Sequence, residues 1–210
     1  AAGLYAAPVP GSKQIGSVGA WTPEHQICCP LTARGPDHEM PLVIVSFYRS
    51  YITAADLKPV AALFTALRKK GFAVMGLFVP SLKAPGAAGW LAGQILHFKP
   101  VCIVNATSFS GKGASGVSPL DAGQVPVFQI ALSTANRSAW AEADRGLSPA
   151  DMAMHVVLPE VDGRLFAGIA SFKEAGSPDD LLEFSRIMHQ PDMNRIDAVA
   201  DKIRRWHKLQ

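Results

Sequence analysis

Four apolar runs of strand length, separated by segments of helical pattern, limit most sharply what this chain can fold into. They are Leu42-Val-Ile-Val-Ser-Phe47, Phe72-Ala-Val-Met-Gly-Leu-Phe-Val79, Val101-Cys-Ile-Val104 and Val127-Phe-Gln-Ile130. A strand buried on both faces reads as a continuous apolar run rather than an alternating one. Between the first two, Val60, Leu63, Phe64 and Leu67 recur at helical spacing, with Pro59 in the first turn and Gly71 just past the last. Thr53 or Asp56 can cap that helix. After Pro80 comes a second helix with Trp90, Leu91, Gln94, Ile95 and Phe98 towards one side. Strand, helix, strand, helix, strand is the order of a parallel sheet wrapped by helices. The expected fold is therefore α/β: a Rossmann-like parallel sheet flanked by helices, with a C-terminal hairpin, further helices and an irregular N-terminal arm.

The arm is residues 1–40, rich in Gly, Ala and Pro and without period; residues 41–210 are the α/β domain. Glu24, His25, Asp37, His38 and Glu39 lie in the arm, where Pro30, Gly35 and Pro36 mark loops, so a solvated segment is expected over a metal site. Past the fourth strand the reading is a short helix over Ala139–Asp144, a fifth strand over His155–Leu158 and a sixth over Leu165–Ala170. The Asp162-Gly163 turn would join these two as a hairpin. Helices are expected from Pro178 to His189 and from Asp192 to Lys208, the latter burying Ile196, Val199, Ala200 and Ile203.

The run His155-Val-Val-Leu-Pro-Glu-Val-Asp-Gly163 is the expected ligand site. In an α/β sheet the strand ends face the crevice where ligands sit, and a strand stopped at Pro159 would present Glu160 and Asp162 there. The competing reading is a solvated Asp-Gly turn with a packed histidine. Period-two counting puts His155 and Glu160 on opposite faces unless Pro159 breaks the strand. Arg49, Asn105 and Arg137 fall at other strand ends over the same crevice, where arginine can take a carboxylate in two parallel hydrogen bonds. Capping and turn-tethering are the alternatives for Arg49 and Asn105.

The stretch Gly111-Lys-Gly-Ala-Ser-Gly116 matches G-x-G-x-x-G, yet it leads to Val-Ser-Pro119 rather than into a helix, and Gly113 follows Lys112 where a P-loop needs Ser or Thr. A loop or lid is expected rather than a nucleotide cradle. A net charge of +3 with scattered Lys and Arg gives no nucleic-acid stripe. No apolar run approaches the length of a membrane span. Three cysteines, two of them adjacent, form no disulfide frame or zinc ribbon and suit a reducing cytoplasm.

Taken as an ordered set, Phe47-Tyr-Arg-Ser50, Phe78-Val-Pro-Ser-Leu82, Asn105-Ala-Thr107, Ser138-Ala-Trp140, Arg145-Gly-Leu-Ser-Pro-Ala-Asp151, Leu158-Pro-Glu-Val-Asp-Gly163 and Ser171-Phe-Lys173 closely resemble the large subunit of cobaltochelatase, the CobN family, related to the porphyrin-binding component of magnesium chelatase. The resemblance covers roughly Pro41 to Leu209. It departs at Tyr51, where family members often carry histidine, and in length, since the family protein is several times longer. This chain is accordingly expected to be an N-terminal piece of such a subunit. The resemblance implies a cytoplasmic, three-component machine that inserts Co²⁺ into hydrogenobyrinic acid a,c-diamide in cobalamin biosynthesis, a metal–nitrogen ligase. ATP and Mg²⁺ would be used by an AAA+ motor and an adaptor subunit. The partners implied are the tetrapyrrole, those two subunits and the rest of the large subunit, and the fragment alone would be inactive. In this frame Glu160 is the expected catalytic base or a metal ligand, His155 and Asp162 the expected metal ligands, and Arg49, Asn105 and Arg137 the expected contacts to the substrate's acid side chains. The competing expectation is a non-catalytic scaffold that docks the motor subunits.

Overall fold

The computed structural model describes residues 14–36, 38–144, 146–179 and 184–210. The chain opens with β1 (Gly19–Thr22), β2 (Gln26–Cys28) and the short α1 (Pro30–Arg34). Then follow β3 (Leu42–Tyr48), α2 (Arg49–Thr53), α3 (Lys58–Lys69), β4 (Ala73–Val79), α4 (Pro85–Phe98) and β5 (Cys102–Asn105). The second half carries β6 (Val127–Leu132), α5 (Arg137–Glu142), α6 (Pro149–Met152), a π turn (Ala153–Val157), α7 (Leu158–Val161), β7 (Leu165–Asp179), β8 (Phe184–Pro191) and α8 (Met193–His207).

These strands make one sheet of eight, ordered β2-β1-β4-β3-β5-β6-β7-β8. Its centre, β4-β3-β5-β6-β7, is parallel. Antiparallel pairings finish both sides, β1 with β4 and β2 on one, β7 with β8 on the other. The four apolar runs are β3 to β6, and their nearly complete burial explains why they carry no alternation. Val43, Val45 and Phe47 of β3 turn towards α3 and α8, packing on Leu63, Phe64, Ile196 and Val199. Leu42 and Ile44 turn the other way and pack with Leu91 and Ile95 of α4. Each face thus has its own apolar layer, the arrangement that buries a parallel sheet.

The N-terminal arm departs from its expected irregularity: residues 19–28 contain two strands, and Trp21 is buried edge-on against Phe47 and Phe64. Strands of three and four residues are too short to show a period. Gly76 of β4 is where β1 comes closest. A Cβ there would meet the carbonyl oxygen of Trp21 at 2.8 Å and the Phe47 ring at 3.0 Å. Gly76→Ala is therefore expected to lower stability by about 1–3 kcal/mol through overpacking against backbone, measured by urea unfolding; unchanged stability would mean that β1 can lift away at no cost.

Three further expectations are corrected. His155–Leu158 is helical, not a fifth strand, and so makes no hairpin with Leu165–Ala170. The C-terminal hairpin exists, but it is formed by β7 and β8. The helix expected over Pro178–His189 is instead the end of β7 and then β8, with residues 180–183 outside the described part. Asp56 does not cap α3, whose N-cap is Leu57 without a side-chain bond; its carboxylate is committed elsewhere.

Candidate functional site

Parallel strands bring their carboxyl ends together, and here the chain also switches direction: from β3 it crosses to β4 on one side, and β5 then returns to the other side of β3. A crevice forms at such a switch point. Beside it, the ends of β3, β5 and β6 are joined by a buried row of polar side chains. Ser46, Asn105 and Gln129 are register neighbours. Ser46 Oγ donates to Asn105 Oδ1 at 2.7 Å, and Asn105 Nδ2 donates to Gln129 Oε1 at 2.7 Å. Gln129 Nε2 donates in turn to the carbonyl oxygens of Thr107 at 2.7 Å and Ile130 at 3.0 Å. Thr107 Oγ1 completes the row on Asn105 Oδ1 at 2.9 Å. Every member is satisfied inside the protein, so the row fixes how the strand ends lie.

Above these ends opens a cleft of about 400 Å³ whose walls include Tyr48, Tyr51, Asp56, His155, Lys173 and His189. The Tyr48 hydroxyl donates to the Ser108 carbonyl at 2.8 Å and so ties β3 to the segment after β5. His189, on β8 opposite Lys173 of β7, is 5% exposed. Asp56 holds it twice: Oδ1 accepts the His189 backbone N–H at 2.9 Å, and Oδ2 lies 2.8 Å from Nδ1. A carboxylate on Nδ1 fixes the proton there and leaves Nε2 as the free nitrogen. Tyr51 packs edge-on against that ring at 5.8 Å, and burial pushes its phenol well above the usual tyrosine range.

His155 reaches the cleft from the other wall. Ser148 caps α6 by accepting the Asp151 N–H. The fully buried Asp151 carboxylate then accepts Ser133 Oγ at 2.7 Å, Thr134 N–H at 2.9 Å and Thr134 Oγ1 at 2.9 Å. This anchor pins the start of the helical segment to the end of β6, and the π turn that follows carries His155. Burial holds the His155 imidazole below its usual pKa; Asp151 opposes that shift and His189 adds to it. Nδ1 of His155 and Nε2 of His189 are buried without a hydrogen-bond partner. Buried polar atoms are nearly always paired, so an orphan of this kind calls for an explanation.

The residues singled out in the sequence fare differently. His155 is at the cleft. Asp162 is not: its carboxylate accepts Ser110 Oγ at 2.9 Å and the Gly111 N–H at 2.6 Å, stapling the glycine loop to the end of α7. Glu160 stands exposed on α7, because the strand end that was to present it is a helix. Asn105 is spent within the sheet. Arg49 donates to the carbonyl oxygens of Ile15 and Gly16, and Arg137 pairs with Asp192 at 3.0 Å on the surface. The residues missed were Asp56 and His189, one read as a cap and the other as part of a helix. Lys173, within one of the ordered motifs, was the nearest signal.

The glycine stretch 111–116 opens no helix: Gly116 N–H closes a turn on Gly113 and has φ of +74°, and the chain passes into a short turn over Pro119–Asp121. The helix N-terminus that would cradle a phosphate is missing. In the arm, Glu24 forms an ion pair with Arg68 at 2.5 Å, which lowers its pKa to about 2; Asp37 lies outside the described residues. Among the described residues no three His, Cys, Asp or Glu side chains gather as a metal cage, and no helix is long and apolar enough to cross a membrane.

A family model described as "CobN/Magnesium Chelatase" matches residues 4–210. Over 175 residues the chain is 36% identical to the "Aerobic cobaltochelatase subunit CobN" of Sinorhizobium sp, covering 82% of this chain and 14% of that one. The same protein of Pseudomonas aeruginosa is 33% identical over 80% of this chain and 14% of its own. A magnesium-chelatase subunit of Rhodobacter capsulatus is 27% identical over 83% of this chain and 16% of its own. Among solved structures, the "Catalytic Subunit of Cobaltochelatase from Mycobacterium tuberculosis" superposes with a TM-score of 0.67 and 27% identity, over 89% of this chain and 15% of that one. The chain thus spans about one seventh of the length of the relatives it matches.

Proposed function

The chain belongs to the CobN/magnesium chelatase family, and on that premise we propose that it is a segment of the tetrapyrrole- and metal-handling large subunit of an ATP-dependent cobaltochelatase. The reaction is insertion of Co²⁺ into hydrogenobyrinic acid a,c-diamide in the cytoplasm, with an AAA+ motor and an adaptor subunit using ATP and Mg²⁺. The segment's share is to meet the ring, or the metal on its way to the ring, at the strand-end cleft. One observation carries this reading: the strand ends open into a cleft where two imidazoles, hydroxyls, the Asp56 carboxylate and the Lys173 ammonium stand among apolar walls of Leu132, Met154 and Ile187, as ring-binding sites mix them. A cleft of about 400 Å³ is of a size to take an edge of a tetrapyrrole with its acid or amide side chains.

The test is calorimetric titration of the folded chain with hydrogenobyrinic acid a,c-diamide, with and without Co²⁺. Saturable binding is expected, weakened when Lys173→Ala or Tyr48→Phe alters the cleft wall. A folded chain that binds no ring would move ring contact to the rest of the large subunit. The second reading is a docking scaffold. It draws on β8, an edge strand that leaves Phe184 and Ile187 59% and 61% exposed. Capture of the motor or adaptor subunit by the chain, abolished by Phe184→Lys, which lies outside the cleft, would favour it.

A further inference from the structure

We infer that Phe109 is the platform on which the flat, conjugated face of the ring lies while the ring's edge enters the strand-end cleft. The inference rests on the function proposed above and adds to it the residue that meets the face. Phe109 follows β5, at the carboxyl end of the sheet, and lines a smaller pocket of about 190 Å³. Tyr48 and Ser108 line both this pocket and the larger cleft, so the two openings share a wall.

Phe109 is 48% exposed. A single exposed apolar side chain needs no explanation, but the backbone beneath this one does. Five of the described non-glycine residues have positive φ. Gln26 lies at the turn from β1 to β2, Ala55 and Lys99 just past helices, and Gln124 just past the turn over Pro119–Asp121. Turns and helix ends are ordinary places for such angles. Phe109 has φ of +68° in a loop away from any helix end, and for so bulky a residue that is an outlier. The loop is held there residue by residue. Ser108 N–H donates to the Tyr48 hydroxyl at 3.3 Å, and Phe109 N–H donates to the Met154 carbonyl at 2.8 Å. Ser110 Oγ and Gly111 N–H are the two groups tied to Asp162. Strain that the surrounding bonds enforce, and whose result is an exposed aromatic ring, points to a use for that ring.

The neighbouring residues say what the ring would meet. Around the same pocket Leu82 is apolar, Ser81 and Ser108 bring hydroxyls, and Lys83 brings an ammonium group. An aromatic face bordered by hydrogen-bonding groups and a cation fits a flat π system that carries acid or amide groups at its edge. A tetrapyrrole is a molecule of that kind.

The experiment is titration of the intact chain with hydrogenobyrinic acid a,c-diamide, followed by calorimetry and by the shift of the ring's visible absorption on binding. Phe109→Gly and Phe109→Asn remove the aromatic ring and leave residues that take a positive φ readily. Both should melt at or above the wild-type temperature, bind the tetrapyrrole roughly 10-fold more weakly, as loss of one stacking partner does, and lose most of the absorption shift. Phe109→Tyr should restore affinity and shift together. A clear fall in melting temperature in both variants makes Phe109 a packing residue and overturns the inference. So does tetrapyrrole binding that responds to Lys173→Ala but is unchanged in Phe109→Gly and Phe109→Asn, a result that leaves the proposed function standing. A folded wild-type chain that binds no tetrapyrrole removes the platform and the proposed ring contact together.

Discussion

Asn105→Leu is expected to destabilise the chain by about 3–5 kcal/mol, the sum of two or three buried polar groups stranded at about 1–3 kcal/mol each. Leucine is only modestly larger than asparagine, so the cost is mainly polar rather than steric. Ser46 Oγ and Thr107 Oγ1 would lose the oxygen they share, and Gln129 Oε1 would lose its donor. All of these groups lie at 2% exposure or less, where water cannot replace the lost partner. Unfolding in urea, followed by circular dichroism, measures the effect. The same variant tests the role expected of Asn105 from sequence. A chain that kept its stability yet lost affinity for the tetrapyrrole would return Asn105 to the substrate.

Asp162→Ala is expected to cost about 2–4 kcal/mol, because hydrogen bonds to a charged group contribute more than neutral ones and their buried donors would be left unmade. This carboxylate ties the glycine loop to the end of α7: Gly111 N–H donates to it at 2.6 Å and Ser110 Oγ at 2.9 Å. Lys112 Nζ adds a looser ion pair at 4.0 Å. Hydrogen exchange at the Gly111 amide should accelerate in parallel with the fall in melting temperature. Any difference that Co²⁺ makes to ring binding should persist in Asp162→Ala, since Asp162 does not line the cleft. Loss of that difference from a folded Asp162→Ala chain would restore it as a metal ligand.

The sheet was legible because its centre is the easiest thing to read in an α/β chain. Strands β3 to β6 are buried on both faces and show as unbroken apolar runs. Helix α3 and helix α8 each bury one stripe, so both show at helical spacing. The edges were not legible. Strand β8 runs Phe-Ser-Arg-Ile-Met-His-Gln-Pro and buries only His189, so no apolar face imposes a period. The misplaced strand at His155–Leu158 has a different cause. Val156, Val157 and Leu158 have the composition of a strand, but the segment is pinned as a helix from outside by Asp151 on Ser133 and Thr134, and Pro159 falls at the start of α7, where a missing N–H is tolerated.

The candidate site was half legible for a related reason. Tyr48, Ser50, Thr107 and Lys173 lie in motifs whose order and spacing carry the family resemblance, and these cluster at the strand ends. Asp56 and His189 are 133 residues apart. No local pattern joins them; only the tertiary fold, which places β8 beyond β7 at one edge of the sheet and against α3, brings them together.

The π turn has a consequence for how this segment tolerates insertion and deletion. Leu158 N–H closes on Ala153 O, one residue further than an α-helix allows. That spare residue sets the rotational phase between two fixed points: Asp151 bound to the end of β6 ahead of it, and Asp162 bound to the glycine loop behind it. Removing one residue between them would turn the second point by about 100° relative to the first. A chain shortened there could keep one anchor but not both, and His155, lying between them, would leave the cleft with whichever side gave way. A length change at residues 153–157 is thus a change in the shape of the cleft, even where every side chain that lines it is retained.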